Sequence, residues 1–232
     1  MASMNGKKMR LKFKLAFHIL IALIGFISVI LHVVYSPDPL VSLTKFTIHS
    51  NLLVSITFMF SSFAILSRRD RNSILKYFKN CSIIYMSICI LTYHFLLSSG
   101  GEYTGTRIIT NFTLHYLIPI LVFINWFVFE IKEKYSLKFI FYWMIYPFLY
   151  SVVSLLRGLI DGFYPYFFLN PNGEIPVGVG SYTNVALFII AYLCVYFILG
   201  FLLITLNGVF LKIKNNIDTT SKHVVERAEV QN

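Results

Sequence analysis

The chain has 232 residues, of which 57% are hydrophobic and 13% charged, and its mean hydropathy is +0.71. A single small water-soluble core cannot hide that much apolar side chain, so an ordinary soluble domain is excluded and an integral membrane protein is predicted. The net charge of +10 does not point to nucleic acid, because the cations flank apolar stretches and would face anionic lipid headgroups.

Six apolar stretches, at residues 15–35, 46–66, 81–97, 112–129, 137–156 and 185–210, predict an all-α bundle of six transmembrane helices. Each is about long enough to cross ~30 Å of hydrocarbon at ~1.5 Å per residue. The first follows Lys7, Lys8, Arg10, Lys12 and Lys14, and its length and lack of a small-x-small cleavage site predict a retained signal-anchor helix. Pro37 and Pro39 then end that helix and leave a tight loop. The connection 67–80 carries Arg68, Arg69, Arg71, Lys76 and Lys79, and its residues 74–78 read as a short interfacial helix. Connection 98–111 holds Gly100, Gly101 and Gly105, a flexible link, and the next one carries Lys132, Lys134 and Lys138.

Segment 157–184 differs in kind, with three prolines, five glycines and an aromatic cluster that includes Tyr164. It reads either as a lid folded back over the mouth of the bundle or as an aromatic interfacial belt. Residues 1–214 form the membrane domain, and 215–232 form a polar tail with Lys222 and Arg227, after Lys212 and Lys214. Seventeen of the twenty Lys and Arg thus lie on one side of the spans, so the positive-inside rule predicts cytoplasmic termini in a cell-membrane protein. Short connections predict antiparallel neighbours in one bundle. Cys81, Cys89 and Cys194 have no spacing that suggests a disulfide framework or a zinc site.

Polar side chains in hydrocarbon need partners, so their placement is the strongest functional signal. They gather at the outer ends of the spans. Thr47, Ser50 and Asn51 share one helix face, while His49 points elsewhere. Asn111 and His115 share another face, with Pro119 a turn later. His32 and His94 reach the same level, and Arg157 stands one turn before Asp161, its expected partner. A threonine hydroxyl becomes a nucleophile when a base takes its proton, and neutral histidine is the usual base, so Thr47 with His115 is the candidate catalytic pair. Ser50, Asn51 or a backbone N–H freed near Pro119 are candidate oxyanion donors. Arg157 is a candidate for holding a substrate carboxylate, and Asn111, His94 and Tyr164 are supporting candidates.

The string KFTIHSN at 45–51, the N-x-x-x-H of Asn111 and His115 with Pro119 beyond, and FYPYFFL at 163–169 resemble one membrane family. It is the six-helix family of the androgen-induced and androgen-dependent tissue-factor-pathway-inhibitor-regulating proteins, and the chain looks most similar to its bacterial branch. The resemblance spans nearly the whole chain. It implies an intramembrane threonine hydrolase of fatty-acid-type esters, with Thr47 as nucleophile, His115 as base, and neither metal nor cofactor. The animal pattern has an acidic residue shortly after the threonine where this chain has His49, Ser50 and Asn51, so the residue pair carries over better than the substrate.

The reading is therefore a lipid-ester hydrolase whose partners are membrane lipids and an ester substrate, with no nucleic acid and no oligomeric state indicated. Two alternatives are a non-catalytic transporter or scaffold, and a haem binder using His32, His94 and His115.

Overall fold

The computed structural model describes residues 2–69, 72–98, 103–130 and 132–230, and every regular element among them is helical. Gly100, Gly101 and Arg71 lie outside the described residues. The helices are α1 (Ala2–Val34), α2 (Pro39–Leu43), α3 (Phe46–Leu66), α4 (Ser73–Thr92), α5 (Thr106–Phe112), α6 (Ile118–Val128), α7 (Lys138–Asp161) and α8 (Tyr182–Val230). A wide π-type turn, Tyr93–Leu97, prolongs α4, and a second, Thr113–Leu117, joins α5 to α6 as one continuous span. Among the described residues six helical stretches are thus long and apolar enough to cross a membrane, which makes the chain a multi-pass membrane protein.

Local chemistry explains the boundaries. Asp38 caps α2, its carboxylate accepting from the Val41 N–H, with Pro39 in the first turn where its missing N–H costs nothing. Residues 74–78 are not a separate interfacial helix. Asn72 caps α4 by accepting from the N–H groups of Ile74 and Leu75, so that stretch is the first turn of a span. The polar tail from residue 215 is helical, because α8 continues to Val230.

Without water to squeeze helices together, packing in lipid rests on close approach and on satisfied polar groups. A Cβ on Gly25 of α1 would meet Ser55 Oγ of α3 at 2.1 Å, so this glycine sets how near the two helices come. Gly200 of α8 plays the same part against Ile140 of α7, at 3.0 Å. Buried serines return their protons to their own helices, as Ser55 does to Asn51 O, Ser62 to Phe58 O and Ser87 to Ile83 O. The core of Ile21, Val54, Phe58, Met86, Ile118 and Val122 lies among α1, α3, α4 and α6. α7 and α8 are peripheral: 22% and 17% of their spans are buried, against 56% for α3 and for α4.

Buried polar groups collect at both ends. Around Glu130, Lys79 Nζ donates at 2.9 Å and Asn125 Nδ2 at 3.2 Å, while the fully buried His18 donates through Nε2 to Asn125 Oδ1 at 2.8 Å. Thr47 and His115 lie at the opposite end. Over that end the connection from α7 to α8 folds back on the bundle, burying Phe168 and Leu169 beside Val179 and Val185. It is tied to itself by Asn170, which donates to Val177 O, and to α8 by Asn184, which donates to Val179 O.

Candidate active site

Geometry at the site begins with a backbone defect. In a π-type turn, residue 119 would donate its N–H to the carbonyl of Leu114, but Pro119 has none. Asn51 of α3 fills the gap, its Nδ2 donating to Leu114 O at 3.1 Å and to Thr47 O at 2.8 Å. One side chain thereby joins the second span to the fourth and fixes their register. One turn nearer the helix start than Asn51, Thr47 is brought against His115.

Thr47 Oγ1 and His115 Nε2 are 3.3 Å apart, and both side chains are buried. The other ring nitrogen, Nδ1, lies 2.9 Å from Asn111 O. A carbonyl only accepts, so a neutral His115 carries its proton on Nδ1 and leaves Nε2 bare to accept from the Thr47 hydroxyl. That is the tautomer a general base needs, and 3.3 Å is the loose reach of an unliganded site. The imidazole plane is held by Tyr93, whose ring stacks on it at 4.0 Å and 22°, and whose hydroxyl accepts from Asn111 Nδ2. Thr47 also sits in the first turn of α3, at the positive end of the helix dipole, which favours a developing alkoxide.

The pair stands between two cavities. On one side is a narrow slot of about 60 Å³, walled mostly by Phe46, Ile88, Pro147, Phe168, Leu169 and Tyr196. On the other is a vestibule of about 470 Å³, lined by His32, Lys45, Tyr103 and the folded-back connection at Pro165 and Ile175. Thr47, His115, Tyr93 and Tyr166 line both. Tyr166 accepts the Thr47 N–H at 3.5 Å. Burial, then the neighbouring Cys89, raises the Tyr166 pKa above the ordinary phenol value, so its own proton stays available to donate.

The vestibule is cationic. Burial and the nearby Arg107 guanidinium hold the Lys45 pKa below the usual lysine value. Arg107 donates to His32 Nε2 at 3.3 Å and lies 4.9 Å above the Tyr103 ring, with its Nε buried and unpartnered. Among the described residues neither cation is paired with a carboxylate.

Other candidates fall elsewhere. Asn51 has both amide protons engaged, and Ser50 donates to Thr47 O at 3.2 Å while touching Cys89 Sγ at 3.3 Å, so neither faces the cavity as an oxyanion donor. What Pro119 frees is a carbonyl, not an N–H. Asn111 acts through Tyr93 and through its own carbonyl. His94 is exposed and bonded to Tyr116 at 3.2 Å, outside both cavities. Arg157 is paired with Asp161 at 2.9 Å and lies over Phe163, away from the pair. Tyr164 packs its ring against Gly158 on the flank of α7, and Tyr166 occupies the place at the cavity wall. His32, His94 and His115 each hold different partners, and no three His, Cys, Asp or Glu side chains converge among the described residues.

Reading for ionisable groups missed Tyr93 and Tyr166, which are aromatic positioning groups. Tyr93 had a signal, since it follows Cys89 by one helical turn on the buried face of α4, whereas His94 lies about 100° round from it. No family model, no curated protein and no solved structure matches the chain.

Proposed function

We propose that the protein is an intramembrane lipid-ester hydrolase of the cell membrane, with both termini cytoplasmic and the site at the outer end, and a distant member of the threonine-hydrolase family it resembles. The observation that carries this reading is the buried Thr47–His115 hydrogen bond, with the base held in the productive tautomer, at the junction of an apolar slot and a cationic vestibule.

The first carbons of the acyl chain enter the slot and the ester carbonyl reaches Thr47. Thr47 Oγ1 attacks the carbonyl carbon as its proton passes to His115 Nε2. The oxygen that gains charge is met by the Tyr166 hydroxyl and by the positive first turn of α3. The C–O bond then breaks, His115 returns the proton to the departing alkoxide, and an acyl group remains on Thr47. A water from the vestibule, deprotonated by His115, attacks this ester and releases the acid with Thr47 restored. Lys45 replaces Arg157 as the cation facing the polar part of the substrate, with Arg107 behind His32 and Tyr103. Orientation follows from the sorting of Lys and Arg.

The test is covalent labelling of the purified protein with a fluorophosphonate. Wild type should label, and Thr47→Ala and His115→Ala should not. Equal labelling of all three removes the proposal.

A further inference from the structure

A third cavity lies far from Thr47, at the end of the bundle where α3 stops and α4 begins. It is a lateral groove of about 450 Å³ between α3 and α4, walled by Leu53, Ile56, Phe60 and Phe63 on one side and Ile74 and Phe78 on the other. Phe60, Phe63 and Ile74 are 53%, 57% and 66% exposed, so the described residues leave the groove open. From Leu53 to Ala64, α3 rises about 17 Å, close to the ~15 Å of hydrocarbon in one leaflet. The groove therefore has the length of one acyl chain, and it ends at polar groups.

Its polar end is built by the way α3 stops. Arg68 takes a left-handed conformation (φ 57°), and the N–H groups of Arg68 and Arg69 return to Ile65 O and Ala64 O, a paired C-terminal cap that usually needs glycine. Folding the chain back this way places Arg69 on the groove rim with Ser67 and Asn72. Lys76, on the next turn, is neutralised by Glu133, whereas Arg69 has no carboxylate partner among the described residues.

We infer that this groove is a binding site for an anionic phospholipid, one acyl chain lying along Leu53–Phe63 and the phosphate resting on Arg69. Charge decides against a zwitterionic occupant. A phosphatidylcholine brings its own cation beside the phosphate, while a phosphatidylglycerol leaves the phosphate charge for the arginine, an attraction worth about fivefold in association per arginine near the surface. Nothing in this inference depends on Thr47 being a nucleophile.

A Phe60→Trp reporter tests it. The native Trp126 and Trp143 are buried and give only a common background. The reporter is reconstituted in phosphatidylcholine vesicles containing a fixed minor share of brominated phosphatidylglycerol or of brominated phosphatidylcholine, and quenching is compared. Quenching should show phosphatidylglycerol favoured by about fivefold, and adding Arg69→Gln should bring the two lipids close to equal while quenching by brominated phosphatidylcholine persists, showing the groove intact. Equal quenching by both lipids in the parent reporter, or a preference that survives Arg69→Gln, overturns the site.

Discussion

His115 has one partner per nitrogen, and each partner has a separable role. Removing the imidazole in His115→Ala takes away the base, and general-base catalysis contributes roughly 10²–10⁴-fold, so ester turnover should fall by that factor with the fold retained. Tyr166→Phe removes the proposed oxyanion donor without removing the wall of the slot, and turnover should fall with little change in KM, since that hydroxyl is used chiefly in the transition state. Lys45→Gln should do the reverse, raising KM for esters with an anionic group and sparing neutral ones. Steady-state kinetics on a neutral and an anionic ester separates these outcomes. The meeting of Thr47 with His115 was legible in the sequence because an alcohol and an imidazole fall at the same depth in the second and fourth spans. Arg157, His94 and Tyr164 were misplaced for a common reason: a charged or polar side chain shows its depth in sequence but not the direction in which its helix faces.

At the level of elements, the site depends on a defect shared between two spans. Asn51→Leu would leave Leu114 O buried without a donor, at a cost of about 1–3 kcal/mol, and would free α3 to shift against α6. Pro119→Ala supplies the missing N–H and competes with Asn51 for the same carbonyl. It should lower ester turnover while leaving thermal stability unchanged or higher, since a backbone bond is gained as the register is lost. A differential thermal scan alongside turnover distinguishes the two variants. The spans themselves could be read from apolar runs alone, because hydrocarbon demands unbroken helices. The wide turn could not, since it arises from Pro119 and from Asn51, 63 residues before the Leu114 carbonyl it serves, a relation with no local signature. The folded-back connection was one of two readings, and its docking rests on Phe168 and Leu169 finding a face of α8 that no periodicity identifies.

For the whole molecule, a charged clamp at one end balances the site at the other. Burial alone would raise the Glu130 pKa, but the Lys79 and Lys14 ammonium groups outweigh it and hold the carboxyl below its ordinary value. Its folded value being the lower one, the clamp contributes fully above the ordinary carboxylate pKa near 4.5 and loses that contribution as pH falls through the folded value. Melting temperature in detergent should therefore drop on acidification. Glu130→Gln should flatten that dependence and lower the melting temperature at neutral pH, because it removes the carboxylate to which Lys79 donates. Charge sorting along the chain showed that cations belong at this end, yet not that Glu130 would gather them into a buried network, which needs three helices in place. The proposed orientation adds a separate expectation: on intact cells a membrane-impermeant maleimide should modify Glu174→Cys and leave Arg69→Cys unreacted until the membrane is opened.

The most direct measurement is the position of the covalent adduct. Fluorophosphonate-labelled protein, digested and sequenced by tandem mass spectrometry, should carry the phosphonyl mass on Thr47. An adduct on Ser50, Ser151 or any other hydroxyl, with Thr47 unmodified, would contradict the assignment of the nucleophile and with it the hydrolase built around it.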